Sequence, residues 1–192
     1  MSSRAPRPDP ALREGVTALP GVLDRASLRR LLAGTPPLVE GLLDPEAQLQ
    51  PNGIDLTLRS VAWFASPGQL GATNEERLLP RVDELEFGAD GWLHLAPGPY
   101  LMTFNEVVHI PLSLTALTWP RSSLLRSGVA LHTAVGDAGY NGRYQALLSV
   151  LNPRGFRLAQ NARVAQIVFF TLAQPVDRGY EGAYQGERGG VA

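Results

Sequence analysis

Apolar and polar residues alternate through most of the chain after residue 49, in short runs separated by proline, glycine and asparagine. In the first clear run, Ile54, Leu56 and Leu58 fall on one face, with Asp55 and Thr57 on the other. Alternation with a period of two is typical of β-strands. Similar segments follow at 61–64, 92–95, 100–104, 106–110, 114–119, 129–133, 144–151, 156–158 and 164–172. Many short strands divided by turn residues predict an antiparallel barrel or sandwich.

One segment near the N-terminus has the helical period instead. Leu28, Leu31 and Leu32 are spaced to share one helix face, Asp24 is placed to cap the start, and Gly34 ends the run. These signals predict a short amphipathic helix.

The two ends of the chain lack any core pattern. Residues 1–19 are rich in Pro, Arg and Ser, which predicts a flexible N-terminal arm, and the glycine-rich residues 178–192 predict a mobile C-terminal tail. Residues 20–177 are predicted to form one β-barrel domain, because 192 residues suffice for one well-buried core but not comfortably for two.

Composition narrows the classes of function. The formal net charge of −1 argues against a broad nucleic-acid surface, so any anionic ligand is expected to be small. The absence of cysteine excludes disulfides and thiolate metal sites. No run approaches the roughly 20 apolar residues that span a bilayer, so we expect a cytoplasmic protein without a membrane partner.

The stretch from Pro120 to Tyr144 carries the candidate chemistry. Arg121, Ser122, Ser123 and Arg126 offer guanidinium and hydroxyl donors at a turn, a set that suits phosphate oxygens. Taken alone, an Arg-Ser-Ser sequence is more often a solvated turn.

A glycine-rich segment follows at 136–142 and predicts the tip of a β-hairpin that exposes Asp137 and Tyr140. Aspartate in such a turn is more often a turn former than a catalyst. The order of the two segments, together with Asp55, nevertheless favours a nucleotide enzyme.

Five motifs, in this order along the chain, make the sequence resemble a known superfamily. They are Gln50–Leu56, Pro120–Arg126, Asp137–Gly142, Asn161–Gln166 and Tyr180–Glu187. The chain resembles the trimeric dCTP deaminases and dUTP pyrophosphatases (dUTPases), and it is most similar to the archaeal-type dUTPases. The resemblance extends from the helix near Ser27 to the tail, and five ordered motifs are far more specific than one.

The resemblance implies a distorted antiparallel jelly-roll barrel that assembles as a homotrimer with active sites at subunit interfaces, and a deoxynucleoside triphosphate substrate that carries Mg²⁺. It assigns phosphate binding to Arg121, Ser122, Ser123 and Gln166, the pyrimidine edge to the hairpin around Asp137, and the deoxyribose to Tyr140. It places Asp55 in the outer shell of the metal. The predicted substrate-binding set is completed by Arg126, His132, Tyr180, Tyr184 and Gln185.

The choice between the two family activities depends on residues 143–150. The deaminases supply a proton-shuttling glutamate from this strand, but here it contains no carboxylate. Neither Gln145 nor Ser149 can act as a general acid or base near neutral pH. We therefore predict Mg²⁺-assisted hydrolysis of dUTP to dUMP and pyrophosphate, with Asp137 orienting and activating the water. A dCTP deaminase, either with that activity alone or as a bifunctional enzyme with both activities, and a non-catalytic nucleotide-binding regulator stay open as alternatives.

Overall fold

The computed structural model describes residues 21–188, so the predicted arm at 1–19 and the last four residues of the predicted tail lie outside the described residues. The helices are α1 (Arg25–Leu32), α2 (Pro45–Gln48) and α3 (Ser122–Arg126). The strands are β1 (Val39–Glu40), β2 (Leu49–Gln50), β3 (Gly53–Phe64), β4 (Val82–Glu84), β5 (Trp92–Leu95), β6 (Gly98–His109), β7 (Leu114–Pro120), β8 (Val129–His132), β9 (Asn141–Val150), β10 (Phe156–Ala159) and β11 (Arg163–Thr171).

A nine-stranded antiparallel sheet dominates the structure. Its main path runs β7-β11-β3-β6-β9-β8, with β1 added to β6 and both β2 and β4 added to β3, while β5 and β10 form a separate two-stranded sheet. A bridge between Ala116 of β7 and Gly136, just beyond β8, joins the two ends of the path. The sheet is therefore nearly closed, and the predicted mostly β, barrel-like fold is confirmed.

The core fills the interior of this curved sheet. Phe104 and Phe169 are its largest fully buried side chains, and Leu56, Met102 and Leu148 pack with them in the same cluster. The other face of β3 is also covered, because Asp55 and Thr57 are buried as well. The first half of strand β3, residues 53–58, is therefore buried on both faces, whereas Trp63 near its end is exposed.

Helix α1 confirms the expectation from the leucine spacing. The Asp24 side chain accepts a 2.8 Å hydrogen bond from the backbone N–H of Ser27 and so caps the first turn. Leu28 is fully buried against the barrel. Among residues 21–188, no helix is long and apolar enough to cross a membrane.

The sequence pattern missed the two shorter helices. Asp44 caps the N-terminus of α2. Helix α3 includes both serines of the Arg-Ser-Ser segment, for which the sequence predicts a turn. The two segments predicted at 100–104 and 106–110 are joined in one strand, β6, whose pairing with β9 shifts register between Thr103 and Val107. This irregularity decides where Glu106 points.

Glu106 lies inside the register shift with only 1% of its surface exposed. Its carboxylate accepts hydrogen bonds from Gln48 Nε2 at 2.7 Å, from the backbone N–H of Thr57 at 2.9 Å and from Thr57 Oγ1 at 2.6 Å. Burial raises the pKa of Glu106, and these hydrogen bonds oppose the rise. Because Gln48 also donates to the backbone carbonyl of Asp55 at 2.9 Å, the network ties α2, β3 and β6 together.

Candidate active site

A cavity of about 560 Å³ lies between β9, the segment that precedes β4, the loop after β8 and the tail. Its lining consists of Phe64, Leu79, Pro80, Arg81, Val82, Leu101, Thr133, Ala134, Val135, Asp137, Tyr140, Arg143, Tyr144, Gln145, Tyr180, Tyr184 and Glu187. The volume suits a small organic ligand, and the lining combines apolar walls with a few charged groups.

The turn that carries Asp137 is held at both of its ends. Gly136 and Ala116 exchange backbone hydrogen bonds of 2.8 and 2.9 Å, and Thr115 Oγ1 donates to the Gly136 carbonyl at 3.0 Å. On the far side, the N–H of Gly139 donates to the carbonyl of Ile110 at 2.9 Å. The Asp137 side chain is exposed, as predicted, on a backbone that is fixed at both ends.

Tyr140 is buried, so the prediction that the hairpin exposes it is wrong. Only 8% of it is accessible, because its ring packs 5.1 Å from the Tyr144 ring and 5.5 Å from the Tyr180 ring, measured between centroids. Burial, with a smaller contribution from the nearby Glu187, raises the pKa of Tyr140 to about 12. The three rings form an aromatic wall of the cavity, and the raised pKa of Tyr140 keeps its phenol protonated at neutral pH.

The described part of the tail binds the same turn. Gln185 accepts from the backbone N–H of Asn141 at 2.9 Å and donates to the carbonyl of Gly139 at 2.9 Å. The N–H of Tyr180 donates to the carbonyl of Ala138 at 2.8 Å. Gly139 has φ +84°, and a Cβ on it would lie 2.6 Å from the Cα of Gly179, so the close approach of the tail requires glycine there.

Four charged side chains line the cavity, namely Arg81, Asp137, Arg143 and Glu187. Arg143 is held by backbone carbonyls, because its Nε donates to Arg188 at 2.6 Å and its Nη1 donates to the carbonyls of Phe104 and Asn105. Burial raises the pKa of the Glu187 carboxyl. The cavity therefore contains two carboxylates of different environment, one on the turn and one on the tail.

A second polar cluster involves Asp55, which is 2% exposed on β3. Its Oδ2 lies 3.2 Å from Arg121 Nε and 3.3 Å from Arg163 Nη1. Burial raises the pKa of Asp55, and the two guanidinium groups oppose the rise. Arg121, the first residue of the predicted phosphate-binding turn, is thus oriented by a buried carboxylate.

The remaining predicted site residues lie outside the cavity lining. Ser122 and Ser123 begin α3 and Arg126 ends it, while Gln166 sits on β11 in register with Asp55. His132 is the exposed last residue of β8, directly before the cavity residue Thr133. Within one chain, the structure therefore brings together Asp137, Tyr140, Tyr180 and Tyr184 at the cavity and Arg121 with Asp55 elsewhere.

The donor set for a metal ion is sparse. Among residues 21–188, no three His, Asp, Glu or Cys side chains are grouped so that they could hold a metal. Both guanidinium contacts of Asp55 go to Oδ2, which leaves Oδ1 outside these ion pairs. This arrangement fits an ion that arrives with a triphosphate and keeps most of its water shell, because Mg²⁺ commonly binds through one or two carboxylates plus substrate phosphates.

Several residues of the two clusters were not singled out from the sequence. Tyr144, Arg81 and Arg143 line the cavity, and Arg163 pairs with Asp55. Arg163 lies within the Asn161–Gln166 motif, so its position in that motif was the available signal. Arg81 and Tyr144 carried no motif, and only the sheet register brings them to Asp137.

Comparison with known protein families gives the class of this protein. A model of the dCTP deaminase-like family matches residues 22–172, and the chain belongs to that family. This match confirms the resemblance drawn from the five motifs.

Several relatives of the chain are archaeal. The chain is 48% identical over 166 residues to a probable deoxyuridine 5′-triphosphate nucleotidohydrolase of Methanosarcina mazei, which covers 86% of this chain and 97% of the relative. A protein of the same name from Archaeoglobus fulgidus is 43% identical over 150 residues, covering 78% of this chain and 88% of the relative.

Among solved structures, 2′-deoxycytidine 5′-triphosphate deaminase from Agrobacterium tumefaciens aligns with a TM-score of 0.62 at 23% identity. The alignment covers 79% of this chain and 48% of that one, so the chain matches about half the length of the deaminase. At this level of identity the likeness shows a shared fold.

Proposed function

We propose that the protein hydrolyses dUTP to dUMP and pyrophosphate. The observation that carries the proposal is the exposed Asp137 carboxylate, fixed on an anchored turn at the rim of a cavity with an aromatic wall. The names of the archaeal relatives support the same substrate. Strand β9 contributes Arg143, Tyr144 and Gln145 to the cavity and no carboxylate, which disfavours the deaminase alternative.

In the proposed reaction, Asp137 accepts a proton from a water molecule as the water oxygen attacks the α-phosphorus. The bond from that phosphorus to its bridging oxygen breaks, and pyrophosphate leaves with the bonding electrons. Such phosphoryl transfer depends mainly on positioning and charge neutralisation. Tyr140 packs against the sugar in this scheme, and its raised pKa of about 12 keeps it neutral.

A homotrimer with shared active sites completes the proposed site. Arg121, Ser122, Ser123 and Gln166 do not line the cavity of their own chain. We infer that a second copy supplies them to the triphosphate, with Arg126 beside them and His132 beside the loop that carries Asp137. Arg121 enters this role already oriented by Asp55, to which its Nε is 3.2 Å away.

Mg²⁺ is proposed to bind with the triphosphate and to neutralise phosphate charge as a Lewis acid. Asp55 Oδ1 is the protein oxygen that we propose contacts the water shell of the ion.

Product analysis tests this function directly. The protein is incubated with dUTP, dCTP, dTTP and UTP, each with Mg²⁺ or with excess chelator, and the nucleotides, pyrophosphate and ammonia are measured. We expect dUMP and pyrophosphate from dUTP, much less product from the other nucleotides, and loss of turnover with chelator. Tight dUTP binding without any pyrophosphate would instead indicate the non-catalytic regulator.

Truncation after Asp177 is expected to lower kcat/KM for dUTP by about 10- to 100-fold, because the tail closes the cavity and excludes water from the phosphates. Gln185→Ala is the milder variant, since Gln185 makes two hydrogen bonds to the Asp137 turn. Gln174→Ala, an exposed glutamine outside the tail, is the matched control. Unchanged kinetics after truncation would show that the tail takes no part.

Glu187 favours a second candidate activity, deamination of dCTP. This carboxylate reaches the cavity from the tail, and burial raises its pKa, as a proton shuttle near neutral pH requires. It could serve the step in which water adds to C4 of cytosine and ammonia leaves. Ammonia released from dCTP by the native protein, and lost in Glu187→Gln, would establish this activity.

A further inference from the structure

The charges of the cavity point to a phosphate contact that comes from the same chain as Asp137. Of the two arginines in the lining, Arg143 is engaged by the carbonyls of Phe104, Asn105 and Arg188. Those contacts join β6 to the tail, so Arg143 acts as a structural clamp. It has little freedom to bind a ligand.

Arg81, the other arginine of the lining, is placed differently. Its backbone is fixed on both sides, because its N–H donates to Ser66 Oγ at 2.8 Å and its carbonyl accepts from the N–H of Ala65 at 2.8 Å. Within residues 21–188, its guanidinium group forms neither an ion pair nor a side-chain hydrogen bond. The structure therefore holds an unpaired cation on a rigid base at the edge of the cavity.

The neighbours of Arg81 show that this segment belongs to the cavity wall. Leu79 and Pro80 line the cavity beside it, and the same loop contacts the tail through Arg77, whose guanidinium carbon lies 5.5 Å from the centre of the Tyr184 ring. The loop thus has two arginines with different surroundings, one against the tail and one at the cavity.

We propose that Arg81 is a further substrate-binding residue, which contacts phosphate oxygens of the nucleotide bound in this cavity. The inference rests on the proposed function, because it takes a nucleoside triphosphate as the ligand. A guanidinium group presents paired donors that match phosphate oxygens. Because the backbone of Arg81 is already held by hydrogen bonds, less conformational entropy is lost when its side chain binds a ligand. Each cavity then has one phosphate ligand of its own, in addition to the groups inferred to come from a second copy.

Binding measurements on ligands with different numbers of phosphates test the assignment. The dissociation constants of deoxyuridine, dUMP and a non-hydrolysable imido analogue of dUTP are measured by calorimetry on the full-length wild type, Arg81→Ala and Arg81→Lys. We expect Arg81→Ala to raise the dissociation constant of the triphosphate analogue by about 10- to 100-fold and that of dUMP by a smaller factor, and to leave that of deoxyuridine unchanged. Arg81→Lys should retain part of the affinity, because it keeps the charge and loses the paired donors.

Arg77→Ala is the matched control. It removes an arginine from the same loop, but this arginine contacts the tail through Tyr184 and does not line the cavity. If the loop acted only by holding the tail in place, both alanine variants would weaken all three ligands by the same factor, and the assignment of Arg81 would be wrong. An unchanged affinity of Arg81→Ala for the triphosphate analogue would also overturn it.

The same preparation is assayed for dUTP hydrolysis, so that the two proposals fail separately. A wild type that binds the analogue with the expected Arg81 dependence but releases no pyrophosphate would refute the hydrolase function and support the phosphate contact. If the wild type hydrolyses dUTP while Arg81→Ala binds every ligand with wild-type affinity, the hydrolase function is supported and the phosphate contact of Arg81 is refuted.

Discussion

Asp137→Asn is expected to lower kcat for dUTP by about 10²- to 10⁴-fold, the usual contribution of a general base. Asparagine keeps the size of the side chain on the anchored turn but cannot accept the proton from water. Affinity for the imido analogue of dUTP should stay close to that of the wild type, because the cavity walls are unchanged. Steady-state kinetics and calorimetry on the same preparation measure both quantities.

Asp83→Asn provides the control for this experiment. Asp83 is an exposed carboxylate on β4 and does not line the cavity. Its replacement removes the same charge from the surface, and kcat should not change. If Asp137→Asn turned over dUTP at the wild-type rate, the proposed activation of water by Asp137 would be wrong.

Glu106→Ala is expected to lower the free energy of unfolding by about 3 to 5 kcal/mol, because it leaves buried donors of Gln48 and Thr57 without an acceptor. Urea unfolding at pH 7 and a fixed protein concentration measures the loss. Fixed concentration is needed because association with other copies would contribute to apparent stability. The control is Glu84→Ala, an exposed glutamate on β4 for which we expect a change within about 0.5 kcal/mol.

Glu106→Gln tests the pH dependence of the same network. Burial raises the pKa of Glu106 above the ordinary value of 4.5, so between the unfolded and folded pKa values the folded protein binds more protons than the unfolded chain. The contribution of the protonated carboxyl is therefore complete below the unfolded pKa and is lost as pH rises through the folded pKa. The free energy of unfolding of the wild type minus that of Glu106→Gln should therefore be more positive at pH 5 than at pH 7. Equal differences would show that Glu106 does not titrate in this interval.

Much of the fold could be predicted from local pattern. The alternation around Ile54 and the capped leucine pattern behind Asp24 both produced the elements they indicated, because strand and helix periods are properties of neighbouring residues. The two short helices α2 and α3 were missed, since segments of four and five residues have too few positions to show a period. The exposure of Tyr140 was also predicted wrongly, because a turn residue can be covered by a distant segment such as the tail.

The candidate site divides in the same way. The sequence singled out Asp137 and the Arg-Ser-Ser segment, since both belong to motifs made of consecutive residues, and the structure places Asp137 but not that segment at the cavity of the chain. The pairing of Asp55 with Arg121 and Arg163 could not be predicted. Asp55 lies on β3, Arg163 begins β11 and Arg121 follows β7, so their contact depends on how these three strands pair in the sheet.

By itself, the sequence determined the mostly β class, the family and the chemical groups available to a nucleotide. Only the tertiary structure decided which of those groups meet. Glu106 is buried because a register shift in β6 turns it towards Thr57, 49 positions away in the chain. Arg81 reaches the cavity of Asp137 because β4 pairs with β3 and β3 with β6. Contacts between segments so far apart depend on strand pairing and packing, which a local pattern of residues does not contain.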